Sequence, residues 1–422
     1  MRLRSTERGN DVGSSGNKRT AMAKLNRESK LRDERVEKQA REAARRLTAA
    51  SDTAEGAGRS EELGAVPVPD ADLSDDAAPE SGGAVSGAQR RRLSAAAAPW
   101  RAAISVYARP RSARTLLDLV TSIVPYLGLL VATGLALRVS VLLTLALAPL
   151  TAGFLLRTFI VFHDCAHGSM FRARRANHAV GTVLGLLLYT PFATWAHTHA
   201  VHHAASGNLD RRGTGDLPTL TVEEYLARPW RGRLGYRLFR NPIVMFGLGP
   251  ILSFVVLPRL VRKGMRPRLR RAVIRTNVIL LILVAAACIW IGPLDYLLVQ
   301  WPAAWLAGSA GIFLFYVQHQ FEDAYWQTAD SWSFDDAAIR GSSYLRLPAI
   351  LRFFSGNIGY HHVHHLSARV PNYNLRRAHH ALELFREVPV LDLRTALRTT
   401  RLKLWDERRG RLVTFAEAAN AS

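Results

Sequence analysis

The stretch His361-His362-Val363-His364-His365 follows Ser355-Gly356-Asn357-Ile358-Gly359-Tyr360, and the rest of the chain is read outward from it. Four imidazoles stand in five residues, and His361, His364 and His365 form the pattern HxxHH. The pattern recurs upstream at His199, His202 and His203, and a related pair, His163 and His167, follows a long apolar run. On a helix, positions i, i+3 and i+4 share a face, so each triplet can aim its imidazoles at one place. Neutral imidazole suits iron, zinc, copper or nickel. A lone histidine is ordinarily a surface or core residue. Eight of the chain's 14 histidines in three tight groups are poorly explained that way. The pattern reads as a histidine-rich metal site.

The chain has 422 residues, 48% of them hydrophobic, and a formal charge of +22. Two opposite regions make up that average. Residues 1–110 are basic, Ala-rich and poor in aromatics, and cannot bury enough apolar surface to offset their ordering entropy. Within them, 20–47 could form a charge-laced helix without an apolar stripe, and 50–87 read as a linker. Residues 111–390 are expected to form a membrane domain, and 391–422 a C-terminal cytoplasmic tail. Nothing at the N-terminus has the apolar core of a signal peptide. Basic residues cluster between apolar runs without any nucleic-acid-binding signature, which favours an anionic membrane surface and argues against nucleic acid. Cys165 and Cys288 do not suggest a disulfide, and a reducing compartment is expected.

Apolar runs at 116–137 and 141–162 are each near the roughly 20 residues that cross a hydrocarbon core. Arg138-Val139-Ser140 turns them into a hairpin, and Arg157 is expected to snorkel toward the interface. His163 lies about 9 Å further along the same helix, at the membrane surface. The stretch 180–195 is short, holds Gly181, Gly185 and Pro191, and would separate the first two histidine groups if it crossed; it is read as re-entrant or interfacial. A helix is expected at 221–227. The broken run 241–257, followed by dense Arg and Lys, is read as interfacial too. Runs 273–291 and 294–317 complete four spans. Their turn, Gly292-Pro293, carries no Lys or Arg, so the positive-inside rule puts the basic loops and all histidines on the cytoplasmic side. The fold class expected is an all-α integral membrane protein: four transmembrane helices with a cytoplasmic helical cap carrying a dimetal site.

His319 stands where the last span emerges and completes nine candidate ligands: His163, His167, His199, His202, His203, His319, His361, His364 and His365. One ion takes four to six ligands, so two ions are the natural count. Adjacent histidines such as His202 and His203 differ by about 100° around a helix, and each can serve a different ion.

The spacing HxxxH, HxxHH, HxxHH at the ends of four spans resembles the integral-membrane fatty acid desaturases, in particular the acyl-lipid, omega-6/delta-12-like bacterial and plant type. The likeness runs over about 115–385. It is carried by Phe162-His163-Asp164-Cys165-Ala166-His167-Gly168-Ser169, by His361-His362-Val363-His364-His365-Leu366, and by Val370-Pro371-Asn372-Tyr373-Asn374-Leu375. It implies two non-haem iron ions, O2 as co-substrate, and an oxidoreductase that leaves a cis double bond in a lipid-linked acyl chain. Side chains alone supply no oxidant strong enough for an unactivated C–H bond. The resemblance also implies membrane acyl chains and an external ferredoxin or cytochrome b5-like donor as partners, and the bacterial cytoplasmic membrane as location. No HPGG haem signature suggests a fused donor.

In the coenzyme-A-linked branch of this family an Asn stands four residues before the extra His; here Phe315 precedes His319 by four, whereas Asn357 precedes His361 by four. Asn357 is therefore a candidate to orient His361 or hold a metal-bound water. Asp164, Asp210 and Asp216 are candidate acceptors for ligand ring N–H groups, with exposed carboxylates or caps as the alternative. His362, His178, His197, His379 and His380 are set aside as structural or exposed, and Trp195, Tyr325 and Trp326 as interfacial anchors. A hydroxylase or ketolase on the same scaffold, acting on hydrocarbons or isoprenoids, is the rival enzyme reading. A non-catalytic metal-binding transporter or sensor is the rival from another class, but a transporter is expected to hold its ligands near the bilayer midplane.

Overall fold

Two long apolar helices, α2 (Ser112–Leu137) and α3 (Val141–Ala166), pack side by side as a hairpin in the computed structural model, which describes residues 99–420. The helix and linker expected at 20–47 and 50–87 lie outside the described residues. Ser140 starts α3 by accepting the Leu142 N–H at 3.2 Å. Small hydroxyl residues fill the seam: Thr133 and Thr151 meet at 3.4 Å, and each also donates to the carbonyl four residues back. That satisfies their hydroxyls where no water can. The opposite face of α2 presents Leu116, Val120, Val124, Leu127, Val131 and Leu135, all exposed at helical spacing. Such a stripe fits lipid.

A short helix, α1 (Pro99–Ser105), precedes the hairpin, and Ala103, Ile104 and Tyr107 are buried in the main core. The boundary expected at 110 is therefore too late, because these three apolar side chains are part of the main core. Arg157 does not snorkel. Its guanidinium turns inward, donating to Asp118 and to the Phe353 carbonyl, each at 2.5 Å.

Helices α4 (Arg174–Leu187) and α5 (Phe192–Ala205) meet at a bend of 106°. Glycine permits the close approach: a Cβ on Gly185 would lie 2.4 Å from the Thr190 carbonyl oxygen, and one on Gly181 2.2 Å from the Phe192 ring. Strand β1 (Leu220–Thr221) leads into α6 (Val222–Leu226), begun by a capping box between Thr221 and Glu224, and then α7 (Trp230–Phe239). Helix α8 (Pro242–Gly247) runs on through a wider π-type stretch, Ile251–Val256, to Arg259. The run at 241–257, read from the sequence as interfacial, is helical. By length and composition, Pro242–Arg259 is a fifth helix able to cross a membrane, beside α2, α3, α9 (Pro267–Ile291) and α10 (Pro293–His319).

After α10 come α11 (Phe334–Arg340), β2 (Tyr344–Leu345), α12 (Ala349–Phe354), α13 (His361–Leu366) and α14 (Asn372–Ala381). The last elements are β3 (Val390–Leu391), α15 (Leu393–Thr399), β4 (Leu404–Asp406), β5 (Arg411–Val413) and α16 (Phe415–Ala419). The fold is mainly helical, as expected, with two small sheets in addition. β4 pairs with β1 in parallel and β5 in antiparallel register, and β2 pairs with β3 in parallel register. The described residues beyond 391, expected as a C-terminal tail, pack against the rest of the chain: Leu404, Leu412 and Val413 are fully buried, and the Leu402 carbonyl accepts the Tyr316 hydroxyl at 2.5 Å.

Candidate metal centre

Four helices deliver the nine histidines. His163 is in the last turn of α3 and His167 caps its end; His199, His202 and His203 lie along α5; His319 ends α10; His361, His364 and His365 lie on α13. Their nitrogens form two groups. The first is His163, His167, His199, His203 and His364; the second is His202, His319, His361 and His365. Within each group one ligand atom per residue lies within 4.8 Å of every other. His202 and His203 go to different groups, as do His364 and His365, because a step of about 100° points neighbours to different sides of one helix. Sequence reasoning named all nine residues; which element pairs with which in each group came only with the fold.

Several ring nitrogens face one another. His361 and His319 Nε2 lie 2.9 Å apart, His364 and His203 Nε2 2.9 Å, and His202 and His365 Nε2 3.3 Å. Two nitrogens each about 2.1 Å from one ion at a right angle are separated by roughly 3 Å, so these spacings fit cis ligands. His167 Nε2 and His199 Nε2 are buried without a hydrogen-bond partner among the described residues. Buried unpaired nitrogens are costly unless something accepts their lone pairs. Burial, reinforced by the facing imidazoles, holds His361, His364 and His365 far below the usual histidine pKa, hence neutral. A set of neutral, converging imidazoles fits metal ions and little else.

Outer partners fix the rings. Asp216 hydrogen-bonds His202 Nδ1, the Gly341 carbonyl lies 3.1 Å from His319 Nδ1, and Asp164 Oδ1 lies 3.3 Å from His163 Nδ1. Gly341 had no signal in the sequence, since a backbone carbonyl carries no residue signature. Asp210 is not such a partner: its carboxylate accepts the Ala329 N–H at 2.7 Å and ties a loop. Asn357 is turned away from His361. It adopts a left-handed φ of 59° and donates to the Asn372 carbonyl at 3.2 Å.

Trp195 is not an interfacial anchor but stacks on His199, ring centres 4.5 Å apart and 23° from parallel. Trp326 and Tyr325 are buried. Phe315, four residues before His319, packs its ring against His202 and His319 at 5.0 and 5.3 Å. His362 belongs to neither group; its Nε2 lies 2.9 Å from His379 Nδ1.

The fatty acid desaturase family model matches residues 140–390. A fatty acid desaturase of Bacillus subtilis is 46% identical over 312 residues, covering 74% of this chain and 89% of that relative. This chain belongs to the fatty acid desaturase family. More distant relatives include the sn-1 oleoyl-lipid 12-desaturase of Synechocystis, 28% identical over 228 residues (53% of this desaturase, 64% of the relative). The sn-1 acyl-lipid omega-3 desaturase (ferredoxin) of the same organism is 27% identical over 237 residues, 53% and 63% of the two chains. The desaturase is therefore an oxidoreductase with the apolar helices of a membrane protein, and its two histidine groups could hold metal.

Proposed function

We propose that this desaturase uses O2 and two histidine-held iron ions to introduce a cis double bond into a lipid-linked acyl chain. The observation that carries the reading is the pair of buried histidine groups in a chain whose relatives include acyl-lipid desaturases. Bound iron would supply the dioxygen-dependent oxidation that removes two hydrogens from adjacent methylenes. The protein's own residues hold that chemistry in place. His163, His167, His199, His203 and His364 would hold one ion, and His202, His319, His361 and His365 the other. Asp216, Asp164 and the Gly341 carbonyl keep the Nδ1 edges of three rings engaged, leaving Nε2 for metal. Phe315 and Trp195 cover the rings with apolar surface and exclude water.

Four crossings, rather than five, agree with one shared site. α3 and α10 end at it, and α5 meets it between them. If Pro242–Arg259 crossed completely, α9 and α10 would bring His319 out on the face opposite His202. We read that segment and the bent α4–α5 pair as entering without crossing, with the histidines on the cytoplasmic face of a bacterial membrane. Electrons would come from an external donor, ferredoxin or a cytochrome b5-like protein, as the named donor of one relative suggests.

The test is a fatty-acid methyl ester profile of a bacterial host expressing the protein with a matched donor, beside His202→Ala at equal membrane level. A new unsaturated acid made only by the wild type is expected, and its double-bond position gives the regiochemistry. A hydroxylated product would replace desaturation by hydroxylation; no new lipid with iron-loaded protein would overturn the substrate reading.

A further inference from the structure

Beside the first histidine group lies a buried polar circuit that neither the histidine spacing nor the proposed chemistry accounts for. Its centre is Asn372, the first residue of α14, which is 2% exposed. Its side-chain nitrogen donates to two carboxylates on two different long helices: Asp118 Oδ2 on α2 at 2.6 Å and Asp164 Oδ2 on α3 at 3.0 Å. Its backbone N–H also donates to Asp164 Oδ2, at 2.7 Å, and its carbonyl accepts the Asn357 amide at 3.2 Å. Asp118 and Asp164 are both buried in turn. The circuit closes through Arg157, which joins Asp118 to the Phe353 carbonyl just ahead of Asn357.

We infer that Asn372 is the positioning residue that locks the first histidine pair to the third histidine cluster. The inference rests on the metal-binding reading above. The chemistry of the side chain supports it. A primary amide offers two N–H donors, enough for both carboxylates at once. A third carboxylate at this place would repel the other two, and an apolar residue would leave two buried acceptors short of a donor. The connection reaches the ligands on both sides. Asp164 Oδ2 is engaged by Asn372 while its Oδ1 faces His163 Nδ1 at 3.3 Å. Asn357 accepts the Tyr360 N–H at 3.0 Å, and the Tyr360 carbonyl accepts that of His364 at 3.3 Å. His163 and His364 belong to the same group, with ring centres 4.5 Å apart, although they come from elements distant in sequence. The second group draws no ligand from α3. α13 feeds both groups, but only the first also depends on the Asp164–His163 contact, so loss of Asn372 acts first on the group that contains His163.

The experiment is a metal titration of full-length protein in detergent, wild type beside Asn372→Ala and Asn372→Ser. Metal per chain is measured by mass spectrometry after dialysis against a graded chelator, with cobalt(II) spectra reporting each site. The wild type should hold about two ions. Both variants should give up one of them at about 10–100-fold lower chelator strength, the cost typical of losing an outer-shell partner, with the other ion's spectrum unchanged. Serine keeps one donor and serves if alanine does not yield monodisperse protein. Unchanged release of both ions in either folded variant, or parallel loss of both, would overturn the inference. A wild type that holds no metal would instead sink the metal-site reading itself.

Discussion

Asp216 carries the orientation of His202: its Oδ1 engages Nδ1 of that ring, while Nε2 turns toward His365. Its other oxygen is buried with no hydrogen-bond partner among the described residues, so the carboxylate is committed to this one ring. Asp216→Ala should weaken metal held by the second group about 10–100-fold, with the first group untouched, read as chelator strength at half release. Equal weakening of both groups would mean that Asp216 supports the fold and not His202. Such pairings were only partly legible in the sequence. Three aspartates near the histidines were equal candidates, and only burial and the turn between α5 and β1 bring Asp216, not Asp210, against a ring. Asn357 misled for a related reason. Its place four residues before His361 implies a contact only on a continuous helix, and its φ of 59° precedes the start of α13.

The bent pair α4–α5 carries three of the nine histidines, so the bend governs where they arrive. Gly185 is the residue with no room, because the obstacle is the backbone oxygen of Thr190 at 2.4 Å and not a movable side chain. Gly185→Ala should lower stability by about 1–3 kcal/mol, the usual cost of overpacking, and reduce metal content with it. Gly128→Ala on α2, with nothing within 4 Å of the added methyl, is the control expected to melt like the wild type. Both are checked by thermal unfolding in detergent, and equal melting of the two variants would refute the tight contact. The glycines and the short apolar run flagged this segment as something other than a plain span. The angle itself depends on Phe192 seating against Gly181, a contact between the two arms that no local pattern encodes. Trp195 reads as an interfacial anchor for the same reason: its contact with His199 exists only once α5 brings that ring beneath it.

Across the molecule, long apolar runs were the most legible feature, since lipid-facing helices need only length and hydropathy. Packing that depends on distant partners was not legible, as with Tyr107 in the main core or Leu404 and Val413 in a strand pair closed by Leu220 and Thr221. The number of crossings falls between these cases. Composition admits five helices, yet convergence of the histidines at one place admits only an even number of crossings between them. Lys263, exposed just after the Pro242–Arg259 segment, is the position whose side of the membrane distinguishes the two counts. Single cysteines at Val139, Lys263 and Thr328 can be placed in a Cys288→Ala background, Cys165 being buried. Intact cells are then treated with a membrane-impermeant maleimide, with desaturase product as the check on folding. Four crossings predict that Val139→Cys is labelled from outside, whereas Lys263→Cys and Thr328→Cys react only after the membrane is opened. Labelling of Lys263→Cys from outside would make the fifth helix a true span. The histidine-bearing ends of α5 and α10 would then need another route to the same side, because α9 and α10 alone return the chain to the face it left.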